Sequence, residues 1–231
     1  MGTPSLGRFW HREYAAGGPP PTWVVAQPIA GVIAWAAVRV GVSANQVTLA
    51  ALALALAGAG VLALGEAGVV AQFVAWLLLT FAYLLDCADG QVARATQTAS
   101  ERGGWLDVYC DYAVIGIVPF AVLWYHVEAG ADPKQILLLM AGALVMVVGR
   151  SQDLFTASMF RKAAKERFRT AGVLHLVRRS AVSLTDTLTV SLLVCVLREN
   201  TTLLSVALFG LGALGMAHSA YIAMRRFDGA Q

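Results

Sequence analysis

Five segments of this chain stay apolar for about 20 residues or more, the length a helix needs to cross the hydrocarbon core of a bilayer. They are residues 46–65, 69–93, 104–127, 134–160 and 201–224, and a shorter sixth, 183–197, lies between the last two. No single core in 231 residues hides that much apolar surface. Composition agrees, with 58% of residues hydrophobic and 13% charged, where soluble domains carry roughly a quarter charged. An ordinary soluble domain is excluded, and the hydrophobicity excludes disorder as well. Polar breaks at residues 65–68, 128–133 and 198–200 separate the segments. The fold class expected is an all-α integral membrane protein with six transmembrane helices plus an N-terminal interfacial helix.

That interfacial helix is read over residues 28–40, a stretch with Pro28 at its start and Arg39 near its end. It is too short to cross and suits a helix lying in the membrane surface; the alternative is an extra span over residues 23–42. No small-residue cleavage site follows Val40, so a cleaved leader is not expected. Residues 1–42 thus form an N-terminal cytoplasmic segment and residues 43–231 a six-helix transmembrane domain. The Gly17–Pro21 stretch loosens the first sixteen residues from the rest. The three cysteines, Cys87, Cys110 and Cys195, each sit in an apolar run. They are too few for a disulfide framework and read as buried thiols.

Orientation follows from the basic residues. With the N-terminus inside, the inner side holds Arg8, Arg12, Arg39, Arg94, Arg102, seven residues between Arg161 and Arg179, Arg225 and Arg226. That is 14 of the 17 basic residues. Lys134 and Arg198 fall outside and Arg150 within the fourth span. The bias predicts both termini in the cytoplasm. Nothing in it marks a nucleic-acid partner.

Four of the 14 acidic residues, Asp86, Asp89, Asp107 and Asp111, lie in the second and third apolar segments. A carboxylate inside a membrane segment costs several kcal/mol or more without a partner. Asp86, Asp89, Gly90 and Ala93 share one face of a helix, and Gly103, Asp107 and Asp111 share one face of the next. The two helices are expected to be antiparallel neighbours joined by the short polar link Ala95–Arg102, so that Ala93 meets Gly103 at the cytoplasmic rim. Asp89 then meets Asp107 about 6 Å deeper, and Asp86 meets Asp111 about 6 Å deeper again. Pairing with Arg94, Arg102 or Arg150 would offset some of the charge. A divalent cation removes the conflict, and hard carboxylate oxygens suit Mg²⁺ or Mn²⁺. Four acids can hold two ions, an arrangement that clamps a pyrophosphate. Gly90, Ala93 and Gly103 leave room for a bulky ligand beside them.

These residues fit the pattern D-x-x-D-G-x-x-A-R-x8-G-x-x-x-D-x-x-x-D at all eight fixed positions, from Asp86 to Asp111. The pattern resembles the signature of the CDP-alcohol phosphotransferases. The segment Ser43-Ala-Asn45-Gln-Val-Thr48 is similar to that family's T-P-N-x-V-T, with Ser43 for Thr and Ala44 for Pro. The resemblance implies a membrane enzyme of phospholipid synthesis. A second alcohol attacks the phosphorus distal to cytidine in a CDP-linked alcohol, and CMP leaves. By the family pattern, Asp86, Asp89 and Asp107 hold two divalent ions, and Asp111 is the general base and can also touch a metal. Gly90, Ala93 and Gly103 let the cytidine approach, and Arg94, Asn45 and Thr48 are candidates for contacts to the nucleotide end. The donor is CDP-diacylglycerol in one branch of the family. In another, CDP-choline or CDP-ethanolamine meets diacylglycerol. A homodimer is also implied.

For the acceptor alcohol the candidates are Arg150, Asp153, Arg161, Lys162 and Asp186, with Lys165 beside them. Arg150 is an intramembrane charge, a functional candidate by default, or else the partner of Asp153 or Asp186. The basic patch suits a phosphate-bearing acceptor or simply the inner membrane surface. His11, His126, His175 and His218 share no ligand spacing and read as packing residues. Trp10, Trp23, Trp35, Trp105, Trp124 and Tyr125 read as an interfacial belt. The Gly210-Leu-Gly212-Ala-Leu-Gly215 run offers a close-packing face. Two rivals stay in view. Membrane prenyltransferases also use intramembrane aspartates with Mg²⁺, but their acids lie in two separate bundles. A cation transporter would use the acids but gives no reason for the Gly-x-x-Ala-Arg stripe.

Overall fold

The structure, a computed structural model, describes residues 6–7, 22–164 and 187–228. Among these residues it has no strands. After a π-helical turn at Thr22–Ala26 come α1 (Gln27–Val40), α2 (Ala44–Leu64), α3 (Val69–Ala95) and α4 (Glu101–Glu128). They are followed by α5 (Pro133–Ala164), α6 (Thr187–Leu197) and α7 (Thr201–Asp228). Five of these, α2, α3, α4, α5 and α7, contain stretches long and apolar enough to span a bilayer. Of the expected fifth span, residues 183–197, the structure describes α6, 11 residues long. The apolar stretch Val24–Val40 falls short of spanning length.

Local chemistry sets the boundaries next to the acidic residues. Gly41 ends α1 at φ 77°, a left-handed conformation that costs glycine little. Ser43 then starts α2 with a capping box: the Gln46 amide N–H donates to its hydroxyl, and its own N–H donates to Gln46 Oε1 at 2.9 Å. The departures from T-P-N-x-V-T are therefore mild. Serine caps as threonine does, and alanine is a good helix former at a first position where proline is also favoured. At the other turn Gln97, at φ 57°, closes α3. Ser100 caps α4 by accepting from the Gly103 N–H at 3.1 Å. That cap starts α4 three residues before the apolar run, so Gly103 stands in its first turn.

The packing departs from the expected hairpin in one respect. Consecutive α3 and α4 scarcely approach one another along their backbones; α2 lies against both. Carboxylates on the facing sides of α3 and α4 repel and need space between them. The buried face of α2, with Ala51, Ala55, Gly58 and Ala59, lets it sit close. At Gly58 a methyl group would touch Leu79 Cγ of α3 at 3.0 Å. A second tight seam joins α5 to α7. There Gly149 lies against the Gly212 backbone, and a methyl at Gly142 would stand 2.6 Å from the Ser205 carbonyl oxygen. So Gly212 of the glycine run packs inside the chain, whereas Gly210 faces open space. The main core lies among α2, α3, α4, α5, α6 and α7. A smaller cluster of Ala30, Ala34, Val47, Ala88 and Val92 fastens α1 and α2 to the acid-bearing end of α3.

Candidate active site

The site forms where three helix ends meet: the start of α2, the last turns of α3 and the first turns of α4. The i, i+3 spacing turns Asp86 and Asp89 of α3 the same way, and Asp107 of α4 reaches them from across the gap. Each of the three offers a carboxylate oxygen within 4.8 Å of the others. Three hard, anionic oxygens at that spacing fit a divalent cation of the Mg²⁺, Mn²⁺ or Ca²⁺ type. Asp111, one turn deeper on α4, stands outside this set of three but within electrostatic reach of Asp86.

The third wall is α2, which the two-helix reading left out. Thr48 is 4% exposed and its hydroxyl donates a hydrogen bond to Asp89 Oδ2, with Asp89 itself 6% exposed. One turn earlier, Asn45 Oδ1 lies 3.4 Å from where a Gly103 methyl group would stand. The start of α2 therefore bridges α3 and α4 at the mouth of the site. Arg94 folds back along α3, so a methyl at Gly90 would meet its Nη1 at 3.3 Å. Ala93 lies one turn beyond Asp89, half-buried. So Asn45 lies beside Gly103, and Arg94 beside Gly90, on the helix ends that carry the carboxylates.

The acceptor candidates are more scattered. Arg150 donates from Nη2 to the Thr187 hydroxyl at 2.7 Å, joining α5 to the start of α6. Asp153 follows it by one turn, and Arg161 and Lys162 lie in the last turns of α5. Asp186 and Lys165 lie outside the described residues. Of the cysteines, Cys110 and Cys195 are buried and Cys87 is half-buried, all as free thiols. His126 is buried and its Nε2 donates to the Arg198 carbonyl at 2.6 Å, a packing role at the far end of the bundle.

Two supporting residues were not singled out from sequence. Gln91, 1% exposed, donates from Nε2 to Gln27 Oε1 at 2.8 Å and ties α1 to the motif helix. A glutamine on the buried side of an apolar helix was the available signal, since such a group needs a partner. Tyr112 donates its hydroxyl to the Ser151 carbonyl at 3.3 Å, linking α4 to α5 beside Arg150. No periodicity marks that contact.

A family model described as CDP-alcohol phosphatidyltransferase matches residues 41–226. No curated protein matches the chain significantly. Among solved structures it is similar to Mycobacterium tuberculosis phosphatidylinositol phosphate synthase with CDP-DAG bound. The TM-score is 0.55 at 20% identity, over 84% of this chain and 90% of that one. At that identity the likeness concerns the fold.

Proposed function

Because the chain belongs to the CDP-alcohol phosphatidyltransferase family, we propose that its carboxylate cluster transfers a phosphatidyl group from CDP-diacylglycerol to the hydroxyl of a polar alcohol, releasing CMP. The chain is a multi-pass membrane enzyme of phospholipid synthesis that moves a substituted phosphate from a CDP-linked alcohol to a second alcohol. The observation that carries the finer reading is the meeting of Asp86, Asp89 and Asp107 within 4.8 Å between membrane-spanning helices. That the similar solved structure holds CDP-DAG supports this donor.

In this reading Asp86, Asp89 and Asp107 hold two divalent ions, Mg²⁺ or Mn²⁺, and Asp111, one turn deeper on α4, is the candidate further ligand. Such ions, when bound, neutralise the charge that develops on a leaving phosphate. The protein does the rest. Gly90, Ala93 and Gly103 leave the volume in which a nucleotide can lie against helix backbone. Arg94 and Asn45, both exposed at the rim, meet its polar groups. Asp111 accepts the proton of the acceptor hydroxyl as that oxygen bonds to phosphorus and the bond to CMP breaks. Arg150, with Asp153, Arg161, Lys162 and Asp186, bounds the acceptor side. Residues 1–42 form the interfacial segment and residues 43–231 the catalytic domain. The site opens to the cytoplasm, and the protein works as a homodimer.

The test is CMP release by purified protein given CDP-diacylglycerol, Mg²⁺ or Mn²⁺ and a panel of alcohols. Release that requires one alcohol, stops with chelator and returns with metal is expected. Release only from CDP-choline or CDP-ethanolamine with diacylglycerol would overturn the donor assignment. Metal-driven ion flux without any CMP would overturn the enzyme reading in favour of a transporter.

A further inference from the structure

We infer that Thr48 is a positioning residue for the ion-binding carboxylates, holding Asp89 in place, rather than a contact to the nucleotide. The inference rests on the reading of Asp89 as a metal ligand. Three observations and the chemistry of a hydroxyl lead to it. Thr48 is buried, so its hydroxyl faces protein and not the open rim where a nucleotide enters. Its hydroxyl is within hydrogen-bond reach of two protein acceptors, Asp89 Oδ2 and the Ala44 carbonyl at 3.1 Å. A hydroxyl has a single proton to donate, so none remains for a phosphate oxygen. Finally, α2 packs closely against both α3 and α4 while the backbones of those two scarcely approach each other, so the Asp86, Asp89 and Asp107 set depends on α2 for its shape.

The placement of Thr48 is itself fixed from below. The Ser43–Gln46 capping box defines the first turn of α2, and Thr48 stands one turn beyond it. Val47 packs beside Ala88 and Val92, the neighbours of Asp89 on α3. The hydroxyl thus comes from a rigid element, not from a loop. Carboxylates that ligate metals are commonly oriented by a hydrogen bond of this kind, and losing the partner typically weakens metal binding by about 10–100-fold. Asn45, exposed at the mouth beside Gly103, keeps the nucleotide role. One turn of α2 then divides two tasks, with Asn45 facing the substrate and Thr48 facing the carboxylate.

The experiment measures Mn²⁺ binding to the detergent-solubilised protein by electron paramagnetic resonance, without substrate, alongside the donor KM at saturating metal. The proteins are the wild type, Thr48→Val, Thr48→Ser and Asp89→Asn. Thr48→Val should bind Mn²⁺ about 10–100-fold more weakly with its donor KM unchanged, and Thr48→Ser should bind as the wild type does. Wild-type Mn²⁺ affinity in Thr48→Val with a raised donor KM would overturn the inference while leaving the metal reading intact. Wild-type Mn²⁺ binding by Asp89→Asn would instead overturn the metal reading itself. Should Thr48→Val fail to fold, Thr48→Ala takes its place. Misfolding of both, with Thr48→Ser normal, would count against the inference, because the hydroxyl would then serve the helix contact and not the ion.

Discussion

Arg198 is the largest fully buried side chain among the described residues, at the end of the bundle opposite the carboxylates. A buried cation needs its field answered on several sides. Its Nη2 donates to the Gly65 carbonyl, its Nη1 donates to Glu66 O at 3.4 Å, and its guanidinium lies 3.8 Å over the Tyr125 ring. The next residue, Glu199, accepts from the Gly68 N–H at 2.7 Å and from Gln72 Nε2 at 3.0 Å. Two loops and the end of α4 are fastened at this one point. Arg198→Ala should destabilise the fold by about 3–5 kcal/mol, from the lost charge-assisted hydrogen bonds and cation–π contact. Lysine should not rescue it, since an ammonium cannot fork to two carbonyls while lying flat on a ring. Thermal melts in detergent check this, and an unchanged Tm would refute it. Asp111 gives the opposite kind of prediction. Asp111→Asn should lower kcat by about 10²–10⁴-fold, the range for a lost general base, with Tm and CDP-diacylglycerol binding preserved. Wild-type turnover in that variant would remove Asp111 from the mechanism.

At the scale of elements, helices were far more legible than their partners. Apolar runs near bilayer length and Gly- or Ser-bearing breaks are local signals, so α2, α3, α4 and α7 fall within a few residues of expectation. The i, i+3 spacing puts Asp86 and Asp89 on one face of α3, because a helix fixes which residues share a face, and Asp107 meets them there from α4. The separation of α3 from α4 was not legible. A five-residue link allows two helices to be adjacent without making them pack, and the gap is set by α2, some forty positions away from Asp89. Thr48 was visible only through a family pattern that gives its identity and not its partner. The Gly210-to-Gly215 run has the small residues of a close-packing face, but nothing local says which helix it meets. The structure answers with α5, and that makes a paired prediction. Gly149→Leu should separate α5 from α7 and lower Tm sharply, because even a methyl there would collide with the Gly212 backbone. Gly210→Ala, with nothing within 4 Å, should leave Tm unchanged. Equal melts for the two variants would show that the seam does not hold the bundle.

At the scale of the whole molecule, one asymmetry joins fold to function. The chain passes back and forth, so the start of α2, the end of α3, the start of α4 and the ends of α5 and α7 share one end of the bundle. The carboxylates lie at that end, and so do Arg39, Arg94, Arg102, Arg161, Lys162, Arg225 and Arg226 by their positions in the chain. The opposite end holds the breaks near Glu66, Asp132 and Glu199, with Lys134 and Arg198 as its basic residues. Cationic segments are retained on the cytoplasmic side during insertion, so the rule that orients the chain also orients the site. On the proposed reading, a water-soluble acceptor made in the cytoplasm would then reach the carboxylates without crossing the bilayer. The prediction is specific to two exposed positions. Thr98→Cys, in the link between α3 and α4, should react with an impermeant maleimide in inside-out vesicles and not in right-side-out ones. Lys134→Cys, at the start of α5, should show the reverse. The native thiols give little background, since Cys110 and Cys195 are buried and Cys87 is half-buried. Labelling of Thr98→Cys from the outer side would invert the topology and put the active site out of reach of a cytoplasmic acceptor.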